Sequence, residues 1–133
     1  MDKSAFARLH QQVVAAALSP AIREGLVARC GILELEVLFS ARNAQDIDLT
    51  RCDLAQALPL AETAQADFER AAAVMQLLAE AGLHRGVPVP DLIIAAVAER
   101  HGLTVLHYDA DFDHVARVTG QAMQWVVPRG SVP

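Results

Sequence analysis

The chain has 133 residues, of which 53% are hydrophobic and 20% charged, a balance that excludes a disordered chain and fits one domain with its own core. Its formal net charge of −5 excludes a broadly basic nucleic-acid-binding surface. It does not exclude a nuclease, in which clustered carboxylates hold a divalent metal while local arginines hold phosphates. Cys30 and Cys52 fit neither a zinc spacing nor a disulfide framework, and read as reduced, buried thiols. No run reaches the apolar length of a membrane span and no signal peptide is evident, so the default compartment is the cytoplasm.

In chain order, Ser4 reads as the cap of a first helix that carries Phe6, Leu9, Val13, Ala16 and Ala17 at helical spacing. Ser19-Pro20 predicts a stop and a new short helix with Pro20 in its first turn, ended by Gly25. Residues 26–30, bounded by Gly25 and Gly31, predict a brief strand. Residues 31–42 predict a helix with Ile32, Leu35 and Phe39 as its main apolar face. Glu36 falls beside that face and Glu34 nearer the opposite side. Residues 43–58 predict a helix with a polar face, broken at Pro59, and residues 62–81 a long helix stopped by Gly82. A loop over 84–88 leads to a largely apolar helix over 91–101, which should be buried on most sides. A strand over 103–107, a short helix over 111–119 and a last strand over 123–127 complete the chain. Strands alternating with helices predict an α/β fold with a mostly parallel sheet covered on both faces, in one domain spanning residues 1–133.

The acids around the helix over 91–101 organise the rest. Asp91 stands at the mouth of an apolar helix, and Asp109 and Asp111 directly follow a strand. Parallel α/β folds place ligands outside the carboxyl ends of their strands, so these acids can share one rim. Each has an ordinary reading beside the functional one. Asp91 complements a helix dipole by about 0.3–1 kcal/mol. Asp109 and Asp111 are common turn and cap residues, Asp111 being the better cap and Asp109 the better rim acid. Asp113 reads as a solvated helix acid, and Glu36 as a surface or a rim acid, with Glu34 the fallback. Asp91 lies between Pro90 and Leu92-Ile93-Ile94, where an isolated acid is costly and a metal would neutralise it. His84, Arg85, His107 and His114 are scattered; a lone histidine is more often packed or at the surface than a ligand, while Arg85 can reach a phosphate. Acids from separate segments, without matching histidines or cysteines, favour a hard cation, Mg²⁺ or Mn²⁺. Such a site acidifies bound water and clamps a phosphoryl group, which suits phosphodiester hydrolysis.

Asp2-Lys3-Ser4, Glu36-Val37-Leu38, Pro90-Asp91-Leu92-Ile93-Ile94-Ala95 and Asp109-Ala110-Asp111-Phe112 together resemble, in order, the motifs of PIN-domain ribonucleases. The whole chain is similar to the VapC-type toxins of type II toxin–antitoxin pairs. The resemblance implies a PIN-like α/β/α sandwich and a Mg²⁺-dependent endoribonuclease. It also implies a homodimer held inactive by an antitoxin. By motif, Asp2, Glu36, Asp91 and Asp109 become the catalytic acids; Asp2, Asp91 and Asp109 hold metal, with Asp111 as a further ligand and Ser4 supporting Asp2. Two departures accompany it. His107 stands where the family often has Ser or Thr. Met1 alone stands where the family carries an apolar strand, so the first strand is cut short; the expectation is a natural start upstream, a marginal fold and an Asp2 that frays from the site. Two rivals are a phosphatase-like hydrolase using Asp2 as nucleophile, with Ser4 where its second acid should be, and a non-catalytic protein that kept the fold and an acidic pocket.

Overall fold

The structure is a computed structural model that describes residues 1–83 and 85–133; His84, in the loop expected over 84–88, lies outside the described residues. Among these the elements run α1 (Lys3–Phe6), α2 (Gln12–Arg23), α3 (Gly31–Leu38), α4 (Ala44–Ala57), α5 (Gln65–Glu80), α6 (Val89–Arg100), β1 (Val105–His107), α7 (Asp111–Thr119) and β2 (Met123–Trp125).

α6 is the centre. Its residues Leu92, Ile93, Ile94, Ala95, Ala96, Val97 and Ala98 are all buried, as a helix apolar on every side requires. It packs against α3, α5, α7 and β1. α7 spans the predicted residues and ends at Gly120, whose φ of 71° is the left-handed cap that glycine adopts without strain.

The sheet is parallel, as expected, but small. β1 and β2 pair in register Val105↔Met123, Leu106↔Gln124 and His107↔Trp125, and helices dominate the rest. The strand expected over 26–30 is reduced to one parallel bridge, Arg29↔Leu60. There the Arg29 amide donates to the Pro59 carbonyl at 2.9 Å, and the Ala61 amide to that of Arg29 at 2.8 Å. Residues 26–28 do not reach β1. Between them lies a cavity of about 350 Å³ lined by Met1, Leu26, Ala28, Thr104 and Leu106. Met1 and Asp2 span one end of that gap: the Met1 ammonium donates to the Ala28 carbonyl at 3.0 Å, and the Asp2 amide to that of Leu106 at 3.0 Å. Burial lowers the ammonium's pKa, against the raising effect of Cys30 and Asp2.

The first helix departs from expectation in three ways. Asp2, not Ser4, is its cap; its carboxylate accepts the amides of Ser4 and Ala5. Far from fraying, Asp2 is 3% exposed. The helix then ends after Phe6, and α2 restarts at Gln12 in a new phase, so Val14 and Leu18 are buried and Val13, Ala16 and Ala17 are exposed. Pro20 does not divide α2 but lies inside it, on the exposed side, where its ring meets solvent. The Ser19 hydroxyl donates to the Ala15 carbonyl at 2.5 Å beside that missing amide.

α3 turns a different face inward from the one expected. Leu33 is fully buried and Val37 packs on the core, while Leu35 and Phe39 are 65% and 90% exposed. The helix is apolar on two faces, so spacing alone does not choose between them. Glu34 is occupied by ion pairs to Arg29 at 3.2 Å and Arg51 at 3.3 Å. Of the two thiols expected inside, Cys30 is buried and Cys52 is exposed. α5 starts at Gln65 rather than Glu62, because Asp67 accepts the Ala64 amide at 2.8 Å and sets the helix start there.

Candidate metal centre

Asp91 is the third residue of α6, a turn further in than a cap, behind Pro90. Asp109 follows β1 and Asp111 opens α7. The three meet: each offers one carboxylate oxygen, and these atoms lie within 4.8 Å of one another. All three are part-buried.

Electrostatics mark the group as strained. The Asp91 carboxyl is pushed up to about 7, first by burial, then by the charges of Asp2, Asp109, Glu36 and Asp111. Asp111 is raised by burial and by Asp109, with His114 opposing. Glu36 is raised by burial and by Asp2, with Lys3 opposing, and its Oε2 is buried without a partner. Among the described residues, no ion pair joins any of these acids to a lysine or arginine. An all-carboxylate donor set, half withdrawn from water and left without a cation, fits a hard divalent metal.

The other expected site residues take different places. Asp2 lies close enough that its charge is the largest of those acting on Asp91, yet both its oxygens are engaged. Oδ2 accepts the Ser4 amide at 2.9 Å; Oδ1 accepts the Ser4 hydroxyl at 2.9 Å and the Ala5 amide at 3.1 Å. Ser4 supports Asp2 as expected and does more, because its Oγ also accepts the Tyr108 amide at 2.8 Å. It thus ties the chain start to the end of β1. The roles of Asp109 and Asp111 are partly exchanged. Asp111 makes no side-chain cap bond; Asp109 Oδ1 accepts the Asp111 amide at 3.0 Å and holds the start of α7. A carboxylate two residues ahead reaches that amide more directly than Asp111 reaches its own helix. Arg85 is exposed in its loop, and among the described residues no ion pair ties it to the acids.

Two further neighbours belong to the site: Lys3, to which sequence reasoning gave no role, and His107, which it noted only as a departure before Asp109. Lys3 is the cation whose charge acts on Glu36. Its place between Asp2 and Ser4 was the available signal. His107 is fully buried, with its Nδ1 facing the Asp109 amide at 3.3 Å; its place two residues before Asp109 pointed to it.

A helix-borne acid meets acids at the end of a small parallel sheet, an arrangement able to hold a metal ion, and comparison with known proteins supplies the family. The PIN domain family matches residues 1–118. Ribonuclease VapC21 of Mycobacterium tuberculosis is 44% identical over 131 residues, covering 98% of this chain and 95% of that protein. Ribonuclease VapC51 of the same organism is 46% identical over 132 residues, covering 99% and 95%. Among solved structures, the DNA-bound VapBC of Salmonella typhimurium superposes with a TM-score of 0.72 at 14% identity, over 94% of each chain. A toxin–antitoxin complex from Klebsiella pneumoniae superposes with a TM-score of 0.68 at 22% identity, over 95% of each. The chain belongs to the PIN domain family and, within it, to the VapC ribonucleases.

Proposed function

We propose that this chain is an endoribonuclease that hydrolyses RNA phosphodiester bonds at the carboxylate cluster, and is the toxin of a toxin–antitoxin pair. Asp91 carries the reading: a helix acid pushed up to about 7 amid like charges, with no ion pair to a cation among the described residues. In this reading Asp91, Asp109 and Asp111 hold Mg²⁺ or Mn²⁺, and Asp2 and Glu36 complete the acidic rim. The cation, when bound, acidifies water and stabilises charge on the phosphoryl group. The residues of the chain set the rest. Asp91 and Asp111 present oxygens that no helix bond engages. Asp109 both holds α7 and faces the cluster. Glu36 adds one buried oxygen that no hydrogen bond engages among the described residues. Arg85, exposed in its loop, is available to meet RNA phosphates. The test is calorimetric titration of Mn²⁺ and Mg²⁺ into the protein, alongside cleavage of RNA with and without chelator. Cleavage that persists undiminished in chelator would sink the metal reading; metal binding without cleavage would favour the non-catalytic alternative. The phosphatase-like alternative needs a free nucleophile at Asp2, and both its oxygens are engaged.

The toxin reading draws on the solved neighbours, one a VapBC assembly and one a toxin–antitoxin complex. On this chain Leu35 and Phe39 leave an apolar stripe on α3, the helix that carries Glu36. An antitoxin that covers this stripe and places an arginine among Asp2, Glu36 and Asp91 would pair bidentately with carboxylate and displace the metal. Inhibition unchanged by Arg→Ala in the antitoxin would overturn that arrangement. A second apolar groove, with Phe68 and Met75 of α5 beside Val89 of α6, is the face on which a homodimer would pack. Sedimentation of the chain with Phe68→Glu checks it; an unchanged mass would rule this face out.

A further inference from the structure

We propose that His107 is the positioning residue of the site: its Nδ1 accepts the Asp109 amide and so aims the Asp109 carboxylate. The inference rests on the reading of Asp109 as a metal-holding acid. The ring is fully buried and cannot swing. It lies against Phe112, with centroids 5.1 Å apart and planes at 42°, and against Trp125, at 5.0 Å and 57°. Phe112 is itself fully buried, and Trp125 is pinned by its Nε1 donating to Asp113 Oδ1 at 3.0 Å. The Asp109 amide reaches Nδ1 at 3.3 Å. An amide is a donor, so Nδ1 must be the bare nitrogen and the ring hydrogen sits on Nε2. Nε2 is buried and has no partner among the described residues. A buried unpaired N–H costs stability. For packing alone a phenylalanine would serve this slot better. What phenylalanine lacks is the lone pair at Nδ1. With its amide held there, Asp109 turns Oδ1 onto the Asp111 amide at 3.0 Å, and the aromatic wedge fixes where the carboxylate of this one clustered acid lies.

The experiment compares His107→Phe, His107→Asn and wild type by Mn²⁺ calorimetry and thermal unfolding of the metal-free chain. Asparagine brings an amide oxygen close to the place of Nδ1 but leaves a void; phenylalanine fills the slot and removes the acceptor. The expected orders are therefore opposite. His107→Phe should melt at or above wild type and bind Mn²⁺ about 10–100-fold more weakly, as when partners of metal ligands are removed. His107→Asn should melt lower yet bind Mn²⁺ within a few-fold of wild type. Wild-type affinity in His107→Phe, or an affinity in His107→Asn as low as in His107→Phe, overturns the inference and leaves the metal reading standing. Absence of Mn²⁺ binding by wild type overturns the metal reading and this inference together. Should His107→Phe not fold, ¹⁵N correlation spectra of the wild-type ring decide: a bare Nδ1 is expected, and a protonated Nδ1 overturns the inference.

Discussion

Asp67 and Asp91 are the same residue type in the same local position, the first turn of a long helix, and the protein treats them in opposite ways. Asp67 is 1% exposed and held bidentately by Arg100, Nε to Oδ1 at 2.8 Å and an η-nitrogen to Oδ2 at 2.9 Å. The hydrogen bonds from Arg100 hold its carboxyl below the usual range, against burial, with help from the Ala64 amide. Among the described residues Asp91 has no such cation and four acids around it, and is pushed up to about 7. A buried acid that serves the fold is neutralised by the chain itself. A half-buried acid left among like charges costs the fold something, and in the proposed reading a metal ion from outside makes up that deficit.

The largest expected effect breaks the Asp91 side. Asp91→Asn removes one carboxylate of the cluster, and RNA cleavage should fall by roughly 100-fold or more, since even partners of metal ligands cost about 10–100-fold. The metal-free protein should be as stable as wild type or more so, because repulsion is relieved. Cleavage at the wild-type rate would remove Asp91 from the site. Breaking the Asp67 side should do the reverse. Arg100→Ala leaves a buried carboxylate short of its donors and should cost about 1–3 kcal/mol in urea unfolding. Its Mn²⁺ affinity should be unchanged; a parallel loss of affinity would mean the two acids are coupled through α6.

The contrast also separates what was legible in the chain from what was not. Asp91, Asp109 and Asp111 could be found because each sits at a boundary that the local pattern marks: a proline-led apolar helix, a strand end, a helix start. α6 and α7 were readable for the same reason. The Asp67–Arg100 pair was not, since nothing local links residues on different helices; only packing brings them together. The inward face of α3 was ambiguous because Leu33–Val37 and Leu35–Phe39 are both apolar stripes at helical spacing. The break after Phe6 shifted the phase of α2 without any glycine or proline to announce it. Asp109 and Asp111 were told apart by the wrong rule, since the side chain that caps α7 comes from the residue two before it.

A smaller effect follows from pH. The folded pKa of Asp91, about 7, lies above its ordinary 3.8, so between these values the metal-free folded chain holds a proton that the unfolded chain has released. The stability tied to Asp91 is therefore complete below 3.8 and is lost as pH rises through about 7. Asp67 runs the other way: its pKa is lowered, so its contribution is present above 3.8 and lost as pH falls through the folded value. If Asp91 holds the metal as proposed, the metal must displace its proton, so Mn²⁺ affinity should climb by up to about tenfold per pH unit below neutrality and flatten above it. Titration at pH 6 in buffers of different ionisation enthalpy should read release of about one proton. Affinity flat from pH 5 to 8 would place the raised pKa elsewhere.

The smallest effect concerns Asp2, which stands between the two cases. Like Asp67 its oxygens are satisfied, but by amides and the Ser4 hydroxyl rather than by a cation; like Asp91 it adds its charge to the cluster. Ser4→Ala tests which resemblance governs. It removes the Oγ that joins Asp2 Oδ1 to the Tyr108 amide, at 2.9 and 2.8 Å. One of these bonds is to a carboxylate and so is charge-assisted, and the cost to urea stability should be about 1.5–3 kcal/mol. The Ser4 and Ala5 amides still hold the Asp2 carboxylate, so its charge stays in place. Mn²⁺ affinity should then change by less than about tenfold, below the loss expected for a partner of a direct ligand. A loss of 100-fold would mean that Asp2 belongs with Asp91 rather than with Asp67, as a ligand whose orientation Ser4 sets and not as a cap whose charge merely lies near.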